Sequence, residues 1–195
     1  MRAGTAAVGR QTRPKAGRFD QVSIALHWLT LLLVAAQFAT ALTLIGGGED
    51  SPDAGLLLAI HRSTGLATWL VVIGRLVWRA AFAHLPPFPT GMPRLQQRVA
   101  KANEYGLYAL LVLQPLTGLG DTVLRGHPFV LFGLAVPRLV YPYKPGFLAL
   151  HAAHELGAVA LALLIGLHAG AALFHALVRR DGVVERMLPW TPPDR

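Results

Sequence analysis

No cysteine occurs anywhere in the 195 residues. Disulfides, thiolate zinc sites, iron–sulfur clusters and thioether-attached haem are therefore excluded, and any metal or cofactor must be held by nitrogen or oxygen ligands. Charge is also scarce, at 14% of residues, and acidic residues are scarcer than basic ones, ten against eighteen. With 53% hydrophobic residues and a mean hydropathy of +0.46, the composition is that of a small integral membrane protein rather than a soluble domain. A net charge of +8 in a soluble protein would raise nucleic acid as a partner. Here the charge flanks apolar spans, so membrane lipid is the expected environment and no nucleic acid is expected.

Long apolar runs are what the chain has in quantity. Four are long enough to cross a bilayer, which takes about 20 residues, and they cover 22–45, 54–80, 99–120 and 147–178. Between them lie a short glycine-rich link containing Glu49, Asp50 and Asp53, a proline-rich loop from His84 to Pro89, and a long loop from Asp121 to Gly146 with several prolines and glycines. The expected fold is all-α, an integral membrane four-helix bundle forming one domain over 1–195, with a basic arm at 1–20 and a tail at 179–195. No sequence repeat is evident beyond the parallel placement of the histidines described below.

Basic residues give an orientation. The arm carries Arg2, Arg10, Arg13, Lys15 and Arg18; the second-to-third connection and its helix ends carry Arg75, Arg79, Arg94, Arg98 and Lys101; the tail carries Arg179, Arg180, Arg186 and Arg195. These fourteen of eighteen lie on one side, so both termini are expected to be cytoplasmic. The second outer loop breaks the pattern, with Arg125, Arg138, Lys144 and His127 against Asp121. The arm, the apolar run and Ala39-Thr40-Ala41 superficially resemble a secretory signal. That run exceeds the about 7–15 residues of a signal core, and cleavage would discard His27, so an uncleaved first helix is expected.

Four of the eight histidines fall at matched depths. His61 and His154 enter their spans from the outer side, and His27 and His168 lie toward the opposite side. The fourteen residues from His154 to His168 correspond to ~21 Å of helix axis and an angular drift of only ~40°. One helix therefore offers two imidazoles on one face at two depths, the arrangement that two stacked bis-histidine haems require. A lone intramembrane histidine often serves only to hydrogen-bond across a helix interface. Two depth-matched pairs ask for more, because ionisable groups inside a span are costly and functional. His27 with His168 would hold the inner haem, and His61 with His154 the outer one.

Helix rotation separates the remaining histidines. His151 is seventeen residues before His168 and roughly 100° off its face, so it is expected to be loop-facing or to support a neighbour rather than ligate. His175 is only ~20° off the face of His168, which leaves open an interfacial snorkelling role and a proton-relay or quinone role. Arg75, fourteen residues after His61, shares its face at the depth of the inner haem and is expected to fork onto a propionate; Arg79 follows one turn later, and snorkelling accounts for both equally well. Arg62 beside His61 is the corresponding expectation for the outer propionates, and Glu155 beside His154 is positioned to orient a neighbouring imidazole. Tyr105, Tyr108 and Gln114-Pro115 of the third helix are read as packing and helix shape.

These residues resemble the bacterial cytochrome b561 family. The resemblance is carried by Ser23-Ile24-Ala25-Leu26-His27-Trp28-Leu29, by Ile60-His61 with Gly65 and Arg75, by Arg125-Gly126-His127-Pro128-Phe129 leading into Phe132-Gly133-Leu134 and Pro137, and by His154-Glu155 with Ile165-Gly166-Leu167-His168-Ala169 and His175. It spans about Phe19 to Pro189, and within the family it is nearest to the superoxide oxidase type. One departure is Asn103-Glu104, where relatives can carry a histidine.

The resemblance implies a multi-pass protein of the bacterial inner membrane with two haem b groups. It implies transfer of electrons from periplasmic superoxide to ubiquinone. Arg125, Arg138 and Lys144 would then attract superoxide, and Arg79 and His175 would belong to the quinone end. The alternative within the same superfamily is an electron-transfer subunit of a hydrogenase or another membrane dehydrogenase; the short loops offer little docking surface for such a partner. A histidine-lined metal-ion transporter would need paired intramembrane carboxylates that this chain largely lacks.

Overall fold

The computed structural model describes residues 17–47 and 52–190. Of the expected charge map, Arg2, Arg10, Arg13, Lys15, Glu49, Asp50 and Arg195 lie outside the described residues. Four long helices dominate: α1 (Gln21–Gly47), α2 (Ala54–Ala81), α3 (Arg94–Leu124) and α4 (Lys144–Leu173). Each is long and apolar enough to cross a membrane, so the chain is an all-α membrane four-helix bundle. α3 begins at Arg94 rather than at 99, because Arg94-Leu-Gln-Gln-Arg98 is a good helix-forming stretch that a hydropathy reading passes over. α3 also continues through Pro115. α4 runs on through a π-helical turn, Phe174–Arg179, which ends at Arg180 in a left-handed conformation.

Among the described residues, the long loop after α3 holds the one departure from an all-helical reading. Strands β1 (Phe129–Leu131) and β2 (Leu134–Val136) pair antiparallel with Phe129 opposite Val136. Phe132 (φ 49°) and Gly133 (φ 77°) form the turn, the double positive φ that a tight two-residue hairpin demands. This hairpin docks on α2, where the Phe132 backbone N–H donates to Ser63 Oγ at 2.8 Å. Phe129 is buried beneath the Arg62 guanidinium, 5.9 Å from its ring centre.

Packing is closest within α1/α2 and within α3/α4, and α2 also packs on α3. A small central core joins the two halves: Val34 of α1, Val72 of α2, Leu111 of α3 and Leu161 of α4. Few other side chains are buried, and large apolar residues such as Leu32, Ile45, Leu56, Leu156 and Leu163 point outward. Facing lipid, such residues gain nothing from moving inward, and the helices satisfy their own backbone groups.

The end of the bundle where α1 begins and α4 ends is tied together by polar contacts. Asp20 caps α1, accepting from the Ser23 backbone N–H (2.9 Å) and from Ser23 Oγ (2.7 Å). It also accepts from Trp78 Nε1 of α2 at 2.9 Å. Burial pushes the Asp20 carboxyl upward, but these hydrogen bonds outweigh it and hold the group below its ordinary value. The segment after α4 folds back across this end: Trp28 Nε1 donates to the Met187 carbonyl (2.8 Å), and buried Arg186 donates to the Pro87 carbonyl (2.6 Å).

Candidate functional site

Two imidazole pairs face each other across the bundle, one toward each end. His61 of α2 and His154 of α4 have ring centres 6.2 Å apart, and His27 of α1 and His168 of α4 have ring centres 6.1 Å apart. Two imidazoles bonded to a single metal ion between them, at about 2 Å each, place their ring centres roughly 6 Å apart. Both pairs meet that requirement, and α4 supplies one ring to each. Among the described residues, no third histidine or carboxylate gathers with either pair into a cluster that would hold a bare metal ion. Paired imidazoles without such a further side-chain ligand would suit a metal that arrives already bound in an organic cofactor such as haem.

The imidazole pair toward the hairpin end is held on both sides by polar groups that sequence reasoning missed. The Thr40 hydroxyl donates to the Ala36 carbonyl (2.9 Å), so its oxygen receives the proton of His61 Nδ1, 2.9 Å away. On the other side, His154 Nδ1 lies 3.0 Å from the Gln114 carbonyl and 3.2 Å from Thr117 Oγ1. Acceptors at Nδ1 keep the proton there and leave each Nε2 lone pair free for a metal. Gln37 Nε2 donates to the His61 carbonyl (2.9 Å) and to Thr64 Oγ1, and Gln114 Nε2 donates to the His154 carbonyl (3.0 Å). The available signal was Gln-x-x-Thr occurring once in the first span and once in the third.

Around the second pair the groups are cationic. An Arg75 guanidinium nitrogen lies 3.3 Å from His27 Nδ1, with the guanidinium 5.4 Å from the Tyr108 ring centre. Arg79 pairs with Glu104 at 2.8 Å. Arg75, Arg79 and Tyr108 line a small cleft with Phe19, Ser23 and Met187. His175 is buried in the π-helical turn, its Nδ1 2.7 Å from Asp181 Oδ2 and its Nε2 3.1 Å from Gln96 Nε2. No contact among the described residues brings His175 and Arg79 together, so they occupy separate settings at this end.

At the hairpin end, Arg62 donates to Thr122 Oγ1 at 3.2 Å. Arg125 is paired with Asp121 (3.1 Å), and Asp121 also lies 3.4 Å from His151 Nδ1. His151 thus sits in a polar network, its other nitrogen 3.4 Å from Glu155, off the His61–His154 pair as helix rotation requires. Arg138 stacks over Tyr141 at 4.9 Å, and Lys144 opens α4.

A four-helix membrane bundle with paired, facing imidazoles defines the class of membrane b-type cytochromes. The profile of the prokaryotic cytochrome b561 family matches residues 18–190. The chain belongs to that family, and is a haem-binding electron-transfer protein that passes several times through the bacterial inner membrane. It is 31% identical over 173 residues to cytochrome b561 homolog 1 of Escherichia coli strain K12, covering 88% of this chain and 97% of that protein. It is 29% identical over 172 residues to a probable superoxide oxidase, CybB, of Yersinia pestis, covering 88% and 96%. A second Escherichia coli protein, cytochrome b561 homolog 2, is 26% identical over 178 residues.

Proposed function

We propose that this protein oxidises superoxide at the hairpin end and delivers the electrons to ubiquinone at the end where α1 begins and α4 ends, which faces the cytoplasm. The observation that carries the reading is the pair of facing imidazole sets, 6.2 and 6.1 Å between ring centres, one toward each end. His61 and His154 would hold one haem b and His27 and His168 the other, and haem held by these histidines would supply one-electron transfer rather than oxygen binding. Arg62 and Arg75 are the propionate partners. The buried Trp69 Nε1, without an acceptor among the described residues, is a donor that a carboxylate-bearing group would satisfy.

Superoxide is an anion, and Arg138, Lys144 and Arg125 give the hairpin end a field that draws it in. Arg125 contributes least, because Asp121 neutralises it. Two superoxide anions each lose one electron and leave as dioxygen. Ubiquinone takes up two electrons and two protons to become ubiquinol. The quinone is taken up at the opposite end, with Arg79 on one side of it, and His175 with Asp181, in a separate setting at the same end, handles protons. The similarity to a probable superoxide oxidase supports this direction of flow.

Rapid mixing tests it. Superoxide should reduce the haems of the purified protein, and ubiquinone should reoxidise them. Haems that superoxide leaves oxidised overturn the reading. Co-purification with a large dehydrogenase that reduces the haems would assign the chain as an electron-transfer subunit instead.

A further inference from the structure

The two acceptor arrangements around His61 and His154 are copies of one device. Gln37-Phe-Ala-Thr40 on α1 and Gln114-Pro-Leu-Thr117 on α3 each present a glutamine amide to the backbone carbonyl of a histidine on the following helix, at 2.9 and 3.0 Å. Each also presents a threonine oxygen to that histidine's Nδ1, at 2.9 and 3.2 Å, and His154 Nδ1 has the Gln114 carbonyl as a further acceptor at 3.0 Å, so the threonine weighs more at His61. In both copies the threonine hydroxyl donates back to its own helix, to Ala36 and to Gln114, each at 2.9 Å. Glycines let the glutamines approach: a Cβ on Gly65 would come within 3.3 Å of Gln37 Oε1, and one on Gly157 would clash with Gln114.

The correspondence extends through the bundle. Gln114 follows Gln37 by 77 residues, and His154 follows His61 by 93. Applying the same offsets, core residue Val34 maps to Leu111 and Val72 to Ile165, which all belong to one packed cluster. The α1/α2 and α3/α4 helix pairs therefore share this residue correspondence, although α2 packs on α3 while α1 and α4 are not closely packed. The second imidazole pair breaks the correspondence. His27 maps to Glu104, and the residue mapping to His168 is Arg75.

We infer that Gln37–Thr40 and Gln114–Thr117 are positioning residues that act on the His61–His154 haem alone. Each clamp fixes its helix carbonyl and holds the Nδ1 proton, which makes the imidazole a stronger donor to iron and favours the oxidised state. Among the described residues His27 meets no such acceptor: its Nδ1 lies 3.3 Å from an Arg75 guanidinium nitrogen, a donor. The two haems are thus set to different potentials by different neighbours, with the clamped haem held lower than its ligands alone would place it. This rests on the bis-histidine assignment above, but not on the identity of donor or acceptor.

The test is a redox titration of the purified double variant Thr40→Val/Thr117→Val, which keeps side-chain shape and removes both hydroxyls. Two haems should remain, one midpoint potential should rise while the other stays, and one of the two low-spin ferric EPR signals should shift. Thr40→Ser/Thr117→Ser should restore the parental values. Unchanged potentials, equal shifts of both haems, or a serine variant that behaves like the valine variant would overturn the clamp while leaving two-haem ligation standing. Parental protein that retains no haem ends both.

Discussion

His168 of α4 faces His27 of α1 with ring centres 6.1 Å apart, yet α1 and α4 are not among the closely packed helix pairs of the bundle. His61 and His154 likewise connect α2 to α4 rather than two helices of one tight pair. Both imidazole pairs therefore join the α1/α2 half to the α3/α4 half. An iron held between each pair, as proposed above, would crosslink halves that otherwise share a small apolar core and the α2/α3 contact.

Ligand removal should accordingly cost both a haem and stability. His61→Leu or His154→Leu is expected to lower the haem content from two per chain to one, leaving the His27–His168 haem; His27→Leu or His168→Leu should leave the other. Binding that favours the folded state stabilises it by mass action, so each variant should also unfold at a lower temperature than the parent. Haem quantification and thermal scans in detergent read both effects. A single-ligand variant that keeps two low-spin haems would show that the histidine is not an axial ligand.

The helices and the imidazole pairs were legible in the sequence because each leaves a periodic trace. Apolar runs mark the spans, and fourteen residues return His168 nearly to the face of His154. Rotation also separated His151, which the structure places with Asp121 and Glu155. The clamps were not legible, since the offset is 77 residues between α1 and α3 but 93 between α2 and α4, and unequal loops erase any fixed period. The β-hairpin was hidden for a different reason: its turn is Phe132-Gly133, without the Asn or Asp that usually announces two positive φ angles.

Charge at the hairpin end should govern encounter with superoxide rather than chemistry within the bundle. Arg138→Glu/Lys144→Glu is expected to slow haem reduction by superoxide by about tenfold at low ionic strength, and the difference should shrink as salt screens the field. Arg125→Gln should do less, because Asp121 already offsets that charge. Stopped-flow rates across a salt series check this; a double variant with parental rates at every ionic strength would move superoxide entry elsewhere.

Asp20 predicts an acid sensitivity with a definite sign. Its carboxyl is held below the ordinary value in the folded protein, chiefly by Ser23 and Trp78 against the opposing effect of burial. Its contribution is therefore fully present above the unfolded-state value of about 3.9 and is lost as pH falls through the folded one. Asp20→Ala should reduce stability by about 1 kcal/mol at neutral pH, and the gap to the parent should close in acid. Thermal scans of both proteins across pH measure it, and a gap that widens on acidification would contradict the assigned role.

Gly118 provides a test in which the expected sign runs against the general rule. Replacing glycine by alanine inside a helix ordinarily stabilises by roughly 0.5–1 kcal/mol. Here the added Cβ would stand 2.9 Å from His154 Cε1 and 3.1 Å from its Nδ1, closer than carbon atoms pack. The imidazole must turn or retreat, and with it goes the hydrogen bonding of Nδ1 to the Gln114 carbonyl and Thr117. Gly118→Ala is therefore expected to destabilise the protein and to perturb the spectrum of the His61–His154 haem while leaving the other haem unchanged. Gly74→Ala, where a Cβ meets nothing within 4 Å, is the control that should follow the general rule. If both variants gain stability and both spectra stay parental, His154 does not lie against α3 as the distances require.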